Sequence, residues 1–241
     1  MSSMVAAGRR HLPRGWSDLG RQLAIWFGFA VLYQLARGLA DRNPTKAFQN
    51  GQAVVNFEVR VTHRLYELTF QNFVDQRHFL ATAVSWTYWL SEFVVLGLAV
   101  LWVYVRRHDA FIGFRNSILL ANVIGLVGYV FVPTAPPRLL GVGFVDTHRD
   151  GLVNLAANPY AAMPSLHAAD ALIVAFVMVM VCRSLWAKIL WAIWPAWVWF
   201  AVMATGNHFW LDCMAGIGVA LLAMAVVYNE RIRRTFAARR A

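Results

Sequence analysis

Long apolar stretches recur along the chain and are separated by shorter polar ones. An α-helix rises about 1.5 Å per residue, so about 20 apolar residues cross the roughly 30 Å hydrocarbon core of a bilayer. The pattern therefore predicts an all-α polytopic membrane protein whose transmembrane helices form one bundle. About six spans are predicted, at approximately 22–40, 80–105, 112–132, 166–183, 187–205 and 209–228.

A different pattern fills 51–73, between the first two spans. Apolar and charged residues alternate there at helical spacing. One face holds Val55, Phe57, Val61, Leu65 and Leu68, and the other holds Glu58, Arg60, Arg64 and Glu67. The spacing predicts an amphipathic helix that lies at the outer interface or packs over the bundle. A solvated connector helix fits the pattern equally well, and the role of the segment stays open.

The composition agrees with a membrane protein. Hydrophobic residues make up 59% of the 241 residues, charged residues only 14%, and the mean hydropathy is +0.51. A soluble domain of this length would carry about a quarter charged residues, so the composition disfavours a large soluble helical protein. Cys182 and Cys213 lie in apolar stretches as small hydrophobic residues, which favours neither a disulfide framework nor a metal cluster.

Membrane topology explains the net charge of +10. In a soluble protein the isoelectric point of 10.4 would indicate nucleic-acid binding. Here the basic residues cluster at the ends of the apolar stretches, so no nucleic-acid partner is expected. With the N-terminus inside, the inner segments contain 14 of the 22 Lys and Arg residues, although the outer segments are longer. The bias predicts a plasma-membrane protein with both termini in the cytoplasm.

A single membrane domain is the simplest organisation. We expect a basic cytoplasmic N-terminal segment at 1–21, a six-span catalytic membrane domain at 22–228 and a basic cytoplasmic tail at 229–241. The first segment is polar and basic, and the apolar stretch after it is long enough to span. We therefore expect no cleavable signal peptide.

Ionisable side chains inside a membrane are costly, so each one within a predicted span is a functional candidate. The candidates are Glu92, Arg115, His167, Asp170, His208 and Asp212. Four of these six lie near the outer ends of the fourth and sixth spans, where the outer loops 133–165 and 205–208 converge. This shared depth predicts a site on the extracytoplasmic side, and the role of Glu92 stays open.

His208 and Asp212 stand four residues apart, so on a helix they share a face. A carboxylate bonded to one imidazole nitrogen fixes the tautomer and leaves the other nitrogen basic. That arrangement suits nucleophilic or general-base catalysis. A structural His–Asp pair that holds two helices together fits the same spacing.

Pro164 and Ser165 precede a long apolar run and predict a helix start, with Ser165 as N-cap or Pro164 in the first turn. The free N–H groups of such a start form an anion site, with His167 in the first turn. Asp170 lies one turn further and would keep His167 protonated, as a general acid requires. Asp170 also fits a buried residue that bonds to a neighbouring helix.

The proline-rich run at 133–138 ends the third span in an extended chain. Arg138 follows it at membrane level, where its planar fork suits phosphate oxygens. An arginine that reaches towards lipid headgroups is the alternative. A nucleophilic imidazole, a second histidine at a helix N-terminus and an arginine are together the parts that phosphoryl transfer needs.

These residues resemble motifs of the type-2 phosphatidic acid phosphatase superfamily. Within it the chain is most similar to the inositol phosphorylceramide synthase-like branch found in bacteria. The motifs are PTAPPR at 133–138, AAMPSLH at 161–167 and TGNHFWLD at 205–212, and the span pattern from about 80 to 228 also matches.

The resemblance implies that His208 attacks phosphorus and forms a phosphohistidine, Asp212 orients it, and His167 protonates the leaving group. Phosphate oxygens would be held by Arg138, Ser165, Leu166 and Asn207, with support from Asp170 and Thr205. The family is metal-independent, so the resemblance implies neither a metal nor a cofactor. The substrate would be a phospholipid or polyprenyl phosphate among the membrane lipids, and the acceptor would be water, inositol or another alcohol.

The chain departs from the family pattern at two cationic positions. Phe131 stands where the classical first motif has lysine, and Val202 stands where the third motif has arginine. Asn207 and Thr205 would substitute as neutral donors, as in the inositol phosphorylceramide branch. Leu166 occupies a position where many relatives have glycine.

We therefore expect a lipid phosphatase or phosphotransferase, with the long 133–165 loop selecting the acceptor. A membrane transporter or lipid flippase is the alternative from another class, and Glu92 near the bilayer centre would suit it. A catalytically inactive relative that acts as a scaffold is a third reading.

Overall fold

The computed structural model describes residues 12–40, 43–144 and 160–238, and it is helical throughout those ranges apart from short connections. The helices are α1 (Gly15–Ala40), α2 (Pro44–Thr62), α3 (Tyr66–Asp75), α4 (His78–Leu90), α5 (Leu96–Arg106), α6 (His108–Phe131), α7 (Leu166–Val181), α8 (Leu185–Ala204) and α9 (Trp210–Ala238). A π-helical turn, Ser91–Val95, joins α4 to α5. The predicted all-α class is confirmed.

Some of the sequence predictions lie outside the described residues. These are most of the basic N-terminal segment (1–11), the end of the tail (239–241) and the 145–159 part of the predicted acceptor loop.

Four helices are long and apolar enough to cross a membrane: His78–Arg106, His108–Phe131, Leu185–Ala204 and Trp210–Asn229. They match four of the predicted spans to within a few residues. The predicted fourth span is α7, a shorter apolar helix of 16 residues. The predicted first span lies within α1, which is not among the four. The membrane-embedded bundle is confirmed, and six remains an approximate number of spans.

Helix α7 lies at the centre of the bundle and packs against α6, α8 and α9. Its Ile173, Val174 and Val177 are almost completely buried. At about 1.5 Å per residue, its 16 residues extend about 24 Å, less than the bilayer core. We expect its N-terminus, and the side chains beside it, to lie below the membrane surface.

Two glycines allow the start of α7 to approach its neighbours closely. A β-carbon at Gly216 of α9 would overlap the carbonyl oxygen of Ser165, and one at Gly125 of α6 would lie 2.6 Å from Leu166. Small residues of this kind let the backbones of membrane helices approach each other closely. The amide of Ser165 also donates to the carbonyl of Asp212, at 3.0 Å. The beginnings of α7 and α9 are therefore fixed to each other.

The predicted amphipathic helix at 51–73 is two helices, α2 and α3, which are separated at His63. His63 has a φ of 60°, in the left-handed region, which ends α2. The two helices pack over the bundle: the side chain of Asn50 donates to the carbonyl of Pro133, and the amide of Ala135 donates to the carbonyl of Ala47. Of the readings of this segment, packing over the bundle is the one observed.

The polar face predicted for this segment was wrong for two residues. Glu58 and Glu67 are completely buried, whereas Phe57 and Val61 are about half exposed. The reason is the start of α9, whose first amides lack partners within the helix. Glu67 accepts from the amide of Trp210 at 2.6 Å, and Glu58 accepts from the amide of Leu211 at 3.0 Å.

Candidate active site

His208 lies in the short loop between α8 and α9. Both its amide and that of Asn207 donate to the carbonyl of Val202, and Gly206 makes the turn with a φ of 66°. A β-carbon at Gly206 would lie 2.8 Å from Phe144, so space as well as conformation favours glycine there. This tight turn presents the imidazole of His208 to the cavity beside it.

The imidazole of His208 has two partners on its Nδ1 atom. The carbonyl oxygen of Ala162 lies at 2.9 Å, and the Oδ2 atom of Asp212 lies at 3.5 Å. A carbonyl only accepts, so Nδ1 carries the proton and Nε2 is left with its lone pair. Burial lowers the pKa of His208 to about 4, which keeps the ring neutral near pH 7.

The expected contact of His208 with Asp212 is observed, but the carbonyl of Ala162 is a second and closer partner of the same nitrogen. Oδ2 of Asp212 accepts from the amide of Phe209 at 2.9 Å, as an acidic residue in the first turn of a helix does in a capping box. Its contact with His208 is longer than the hydrogen bond that His208 makes with Ala162. Sequence spacing cannot reveal the Ala162 contact, because its acceptor is a backbone carbonyl 46 residues away.

His167 lies in the first turn of α7, as predicted. Ser165 is the N-cap, and its hydroxyl oxygen accepts from the amide of Ala168 at 3.3 Å. The centroids of the His167 and His208 rings are 5.6 Å apart. Two histidines separated by 41 positions thus face each other across one site.

The carboxylate beside His167 is not the one expected. Both oxygens of Asp170 accept from the side-chain amide of Asn122 on α6, at 3.1 and 3.2 Å. Of the two readings of Asp170, the bond to a neighbouring helix is the one observed. The residue in contact with His167 is Glu92, whose Oε2 lies 3.0 Å from Nε2. The sequence signal for Glu92 was a carboxylate inside a span, but its partner could not be read from the sequence.

Arg138 belongs to a chain of polar side chains rather than reaching away towards headgroups. It lies in a short 3₁₀ turn, Pro137–Leu139, and its guanidinium donates to Oδ1 of Asn207. The amide of Asn207 in turn donates to the hydroxyl of Thr205 at 2.8 Å. Asn207 and Thr205 thus hold Arg138 in position.

The two positions that lack the cationic residues of the family pattern, Phe131 and Val202, lie in different surroundings. Phe131 is 69% exposed at the end of α6, and Val202 is completely buried in α8 beneath the His208 loop. A charged side chain at Val202 would have no solvent there. Among the residues that the structure describes, no three or more His, Cys, Asp or Glu side chains form a group that could hold a metal ion.

A cavity of about 350 Å³ brings these groups together. Its polar lining residues are His167, His208, Arg138, Asn207 and Glu92, and Leu166 also borders it. Aromatic residues of α1 and α4 line it as well: Trp26, Phe29, Tyr33, Tyr88 and Trp89. The predicted site residues Ser165, Asp170, Thr205 and Asp212 are buried beside the cavity and do not line it. A concave site of this size, with few polar groups on an apolar wall, is typical of small-ligand binding.

Residues 52–226 match the model of the PAP2 superfamily. The chain belongs to the PAP2 superfamily. All three sequence motifs lie within the matched residues, and the predicted membership is confirmed.

One curated relative is the phosphoinositol dihydroceramide synthase of Bacteroides thetaiotaomicron. It is 29% identical over a match that covers 56% of this chain and 50% of that protein. The chain thus spans about half the length of this relative. Among solved structures, LpxE of Aquifex aeolicus superposes with a TM-score of 0.55 at 18% identity, covering 67% of this chain and 93% of LpxE. That likeness concerns the fold.

Proposed function

We propose that this chain is an integral membrane lipid phosphatase or phosphotransferase that works through a phosphohistidine intermediate. The observation that carries the proposal is the pair of histidines, 5.6 Å apart between ring centroids, on a cavity that Arg138 also lines. PAP2 membership supports the reaction class. The name of the curated relative, a phosphoinositol dihydroceramide synthase, favours transfer to an alcohol over hydrolysis.

In the first step, Nε2 of His208 attacks phosphorus and the bond to the leaving oxygen breaks. The leaving oxygen takes a proton from His167. The positive charge that develops on His208 is stabilised by the carbonyl of Ala162 and by Asp212. The charge on the phosphoryl oxygens is stabilised by Arg138.

In the second step, an acceptor hydroxyl attacks the phosphohistidine and its proton returns to His167, which frees His208. Water as acceptor gives a phosphatase, and inositol or another alcohol gives a phosphotransferase. The first amides of α7, at Leu166 and its neighbours, are the further donors to phosphate, with Ser165 as their cap. Asn207 and Thr205 act by holding Arg138.

The lining of the cavity supports the proposed substrate class. Trp26, Phe29 and Tyr33 line it from α1, and Phe27 and Leu32 of the same helix are exposed. A lipid phosphate, whether phospholipid or polyprenyl phosphate, would place its head among the histidines and its chain along these aromatic groups. Glu92, which would suit a transporter, instead contacts His167 and so belongs to the same cluster.

The charge bias along the chain supports a site on the extracytoplasmic side of the plasma membrane, with both termini cytoplasmic. The three segments expected from the sequence, 1–21, 22–228 and 229–241, are retained in this proposal. Reporter fusions at the C-terminus and within 141–155 test the topology. A cytoplasmic 141–155 would contradict it.

The reaction itself is tested by incubating the purified protein with a panel of lipid phosphates in a metal chelator. Wild type is expected to release phosphate or exchange a headgroup, and His208→Ala to lose this activity. His78→Ala, at an exposed histidine outside the cavity, is the matched control and should behave as wild type. Undiminished activity of His208→Ala would overturn the mechanism.

A further inference from the structure

Glu92 lies where the regular helix is interrupted. The π-helical turn Ser91–Val95 separates α4 from α5, and such turns are frequent at functional sites. The side chain of Glu92 borders the cavity, is only about a quarter exposed and lies within a membrane-spanning helix. A carboxylate at such a place is costly unless it has a partner, and its partner here is His167 at 3.0 Å.

Tyr88 and Glu92, which are one helical turn apart, both contact the ring of His167. The ring stacks on Tyr88, with centroids 4.6 Å apart and planes at 21°. Glu92 follows Tyr88 by four residues and supplies the carboxylate. An ionised carboxylate only accepts, so Nε2 of His167 carries a proton in this contact.

The other acidic side chains of the site, Asp170 and Asp212, accept hydrogen bonds from other groups. Asp170 lies three residues further along α7, and both of its oxygens accept from Asn122. Asp212 is occupied at the start of α9. Of the carboxylates in the described part of this site, Glu92 is thus the one in ion-pair distance of His167.

We propose that Glu92 is the positioning residue of the proton donor, with a role towards His167 that parallels the role of Asp212 towards His208. The inference rests on the proposed function. Glu92 accepts from Nε2 of His167 and stabilises the imidazolium form, and the proton on the other ring nitrogen, Nδ1, passes to the leaving oxygen. Glu92 stabilises that form again when His167 receives the proton of the acceptor. Glu92 acts through His167 and does not bind phosphate.

The leaving group distinguishes this role from a structural one. A lipid phosphate with an ordinary alcohol leaving group needs a proton when the bond breaks, whereas the nitrophenyl ester of the same phosphate leaves as a weakly basic phenolate. We expect Glu92→Gln to lower kcat/KM, which reports the steps up to formation of the phosphohistidine, by about 100-fold on the alcohol ester, within the range of general acid catalysis. On the nitrophenyl ester we expect kcat/KM to fall less than about tenfold.

The control is Asp109→Asn, the same chemical change at a highly exposed carboxylate at the start of α6. It should leave both rates unchanged. Glu92→Asp keeps the charge on a shorter side chain and should show the same split with a smaller loss, which covers the case in which Glu92→Gln folds poorly. His167→Asn should show the same split as Glu92→Gln.

An equal loss of kcat/KM on both esters would assign Glu92 a structural role, and no loss of kcat/KM on either would assign it none. Either result overturns the inference. His208→Ala separates this failure from failure of the proposed function. If His208→Ala is inactive on both esters while Glu92→Gln equals wild type, only the role of Glu92 is wrong. If His208→Ala stays active, the proposed function itself is wrong.

Discussion

At the scale of single residues, the shorter contact of His208 is with a backbone carbonyl rather than with a carboxylate. Ala162 lies 2.9 Å from Nδ1, whereas Asp212 lies 3.5 Å away and also accepts from the amide of Phe209. The tautomer of His208 is thus fixed mainly by the backbone. Asp212 contributes its charge and the cap of α9.

This division of roles predicts a modest effect for Asp212→Asn, because an amide oxygen still accepts from Phe209 while the negative charge is lost. We expect the rate of phosphoenzyme formation to fall about tenfold, equivalent to about 1.4 kcal/mol in the barrier. Rapid-quench measurement of the phosphoenzyme would check it. A loss as large as that of His208→Ala would mean that Asp212 is the principal orienting group.

At the scale of elements, the site depends on how closely the starts of α7 and α9 approach. Gly216 faces the carbonyl of Ser165, and Asp212 accepts from the amide of Ser165 through its own carbonyl. His167 follows Ser165 by two residues, and His208 precedes Asp212 by four. Any change in the spacing of the two helices therefore changes the distance between the histidines.

Gly216→Ala tests this packing. The added methyl group would meet the backbone of Ser165, which cannot move like the end of a side chain, so we expect a loss of about 1–3 kcal/mol of stability. Gly218→Ala is the control two residues away, where a β-carbon meets nothing within 4 Å. It should be neutral or slightly stabilising, because alanine favours helix over glycine. Thermal melting in detergent compares them, and equal melting temperatures would contradict the packing.

The second element-scale feature is the pair of carboxyl groups through which α2 and α3 hold the start of α9. Burial, and then the neighbouring Glu67, raise the pKa of Glu58 to about 9, and burial raises the pKa of Glu67. Asp212 of α9 also faces Glu58 and acts in the same direction. The folded protein therefore holds a proton here that the unfolded chain, with an ordinary glutamate pKa of 4.5, releases.

Since the pKa of Glu58 is higher in the folded chain, its contribution to stability is present below 4.5 and is lost as the pH rises towards about 9. We expect the melting temperature in detergent to fall across this range. Glu58→Gln, which does not titrate, should reduce the slope, whereas Asp75→Asn at an exposed carboxylate should not. An unchanged slope in Glu58→Gln would show that the buried pair does not carry the dependence.

At the scale of the whole molecule, the features that were predictable from sequence are those determined by residues close together along the chain. The apolar runs located the four candidate spans and α7 to within a few residues, and Pro164 and Ser165 located the start of α7. The break at His63 was not predictable, because a left-handed conformation without glycine leaves no clear signal.

Contacts between distant parts of the chain were predicted less well. That His167 and His208 face each other followed from the shared depth of two helix ends, but the partners of each ring did not. Glu92 and Ala162 reach the histidines through the packing of the bundle, which single-sequence spacing does not contain. The burial of Glu58 and Glu67 was missed for the same reason, since the amides that they cap lie more than 140 residues away.

The central claim is that the phosphoryl group is transferred to Nε2 of His208. The most direct measurement incubates the protein with a lipid phosphate labelled in its phosphoryl group and stops the reaction in alkali, where a phosphohistidine survives. The labelled peptide is then identified by mass spectrometry. We expect the label on the peptide that carries His208, lost on brief acid treatment and absent in His208→Ala. Label on another residue, or product formed by His208→Ala at the rate of wild type, would contradict the account.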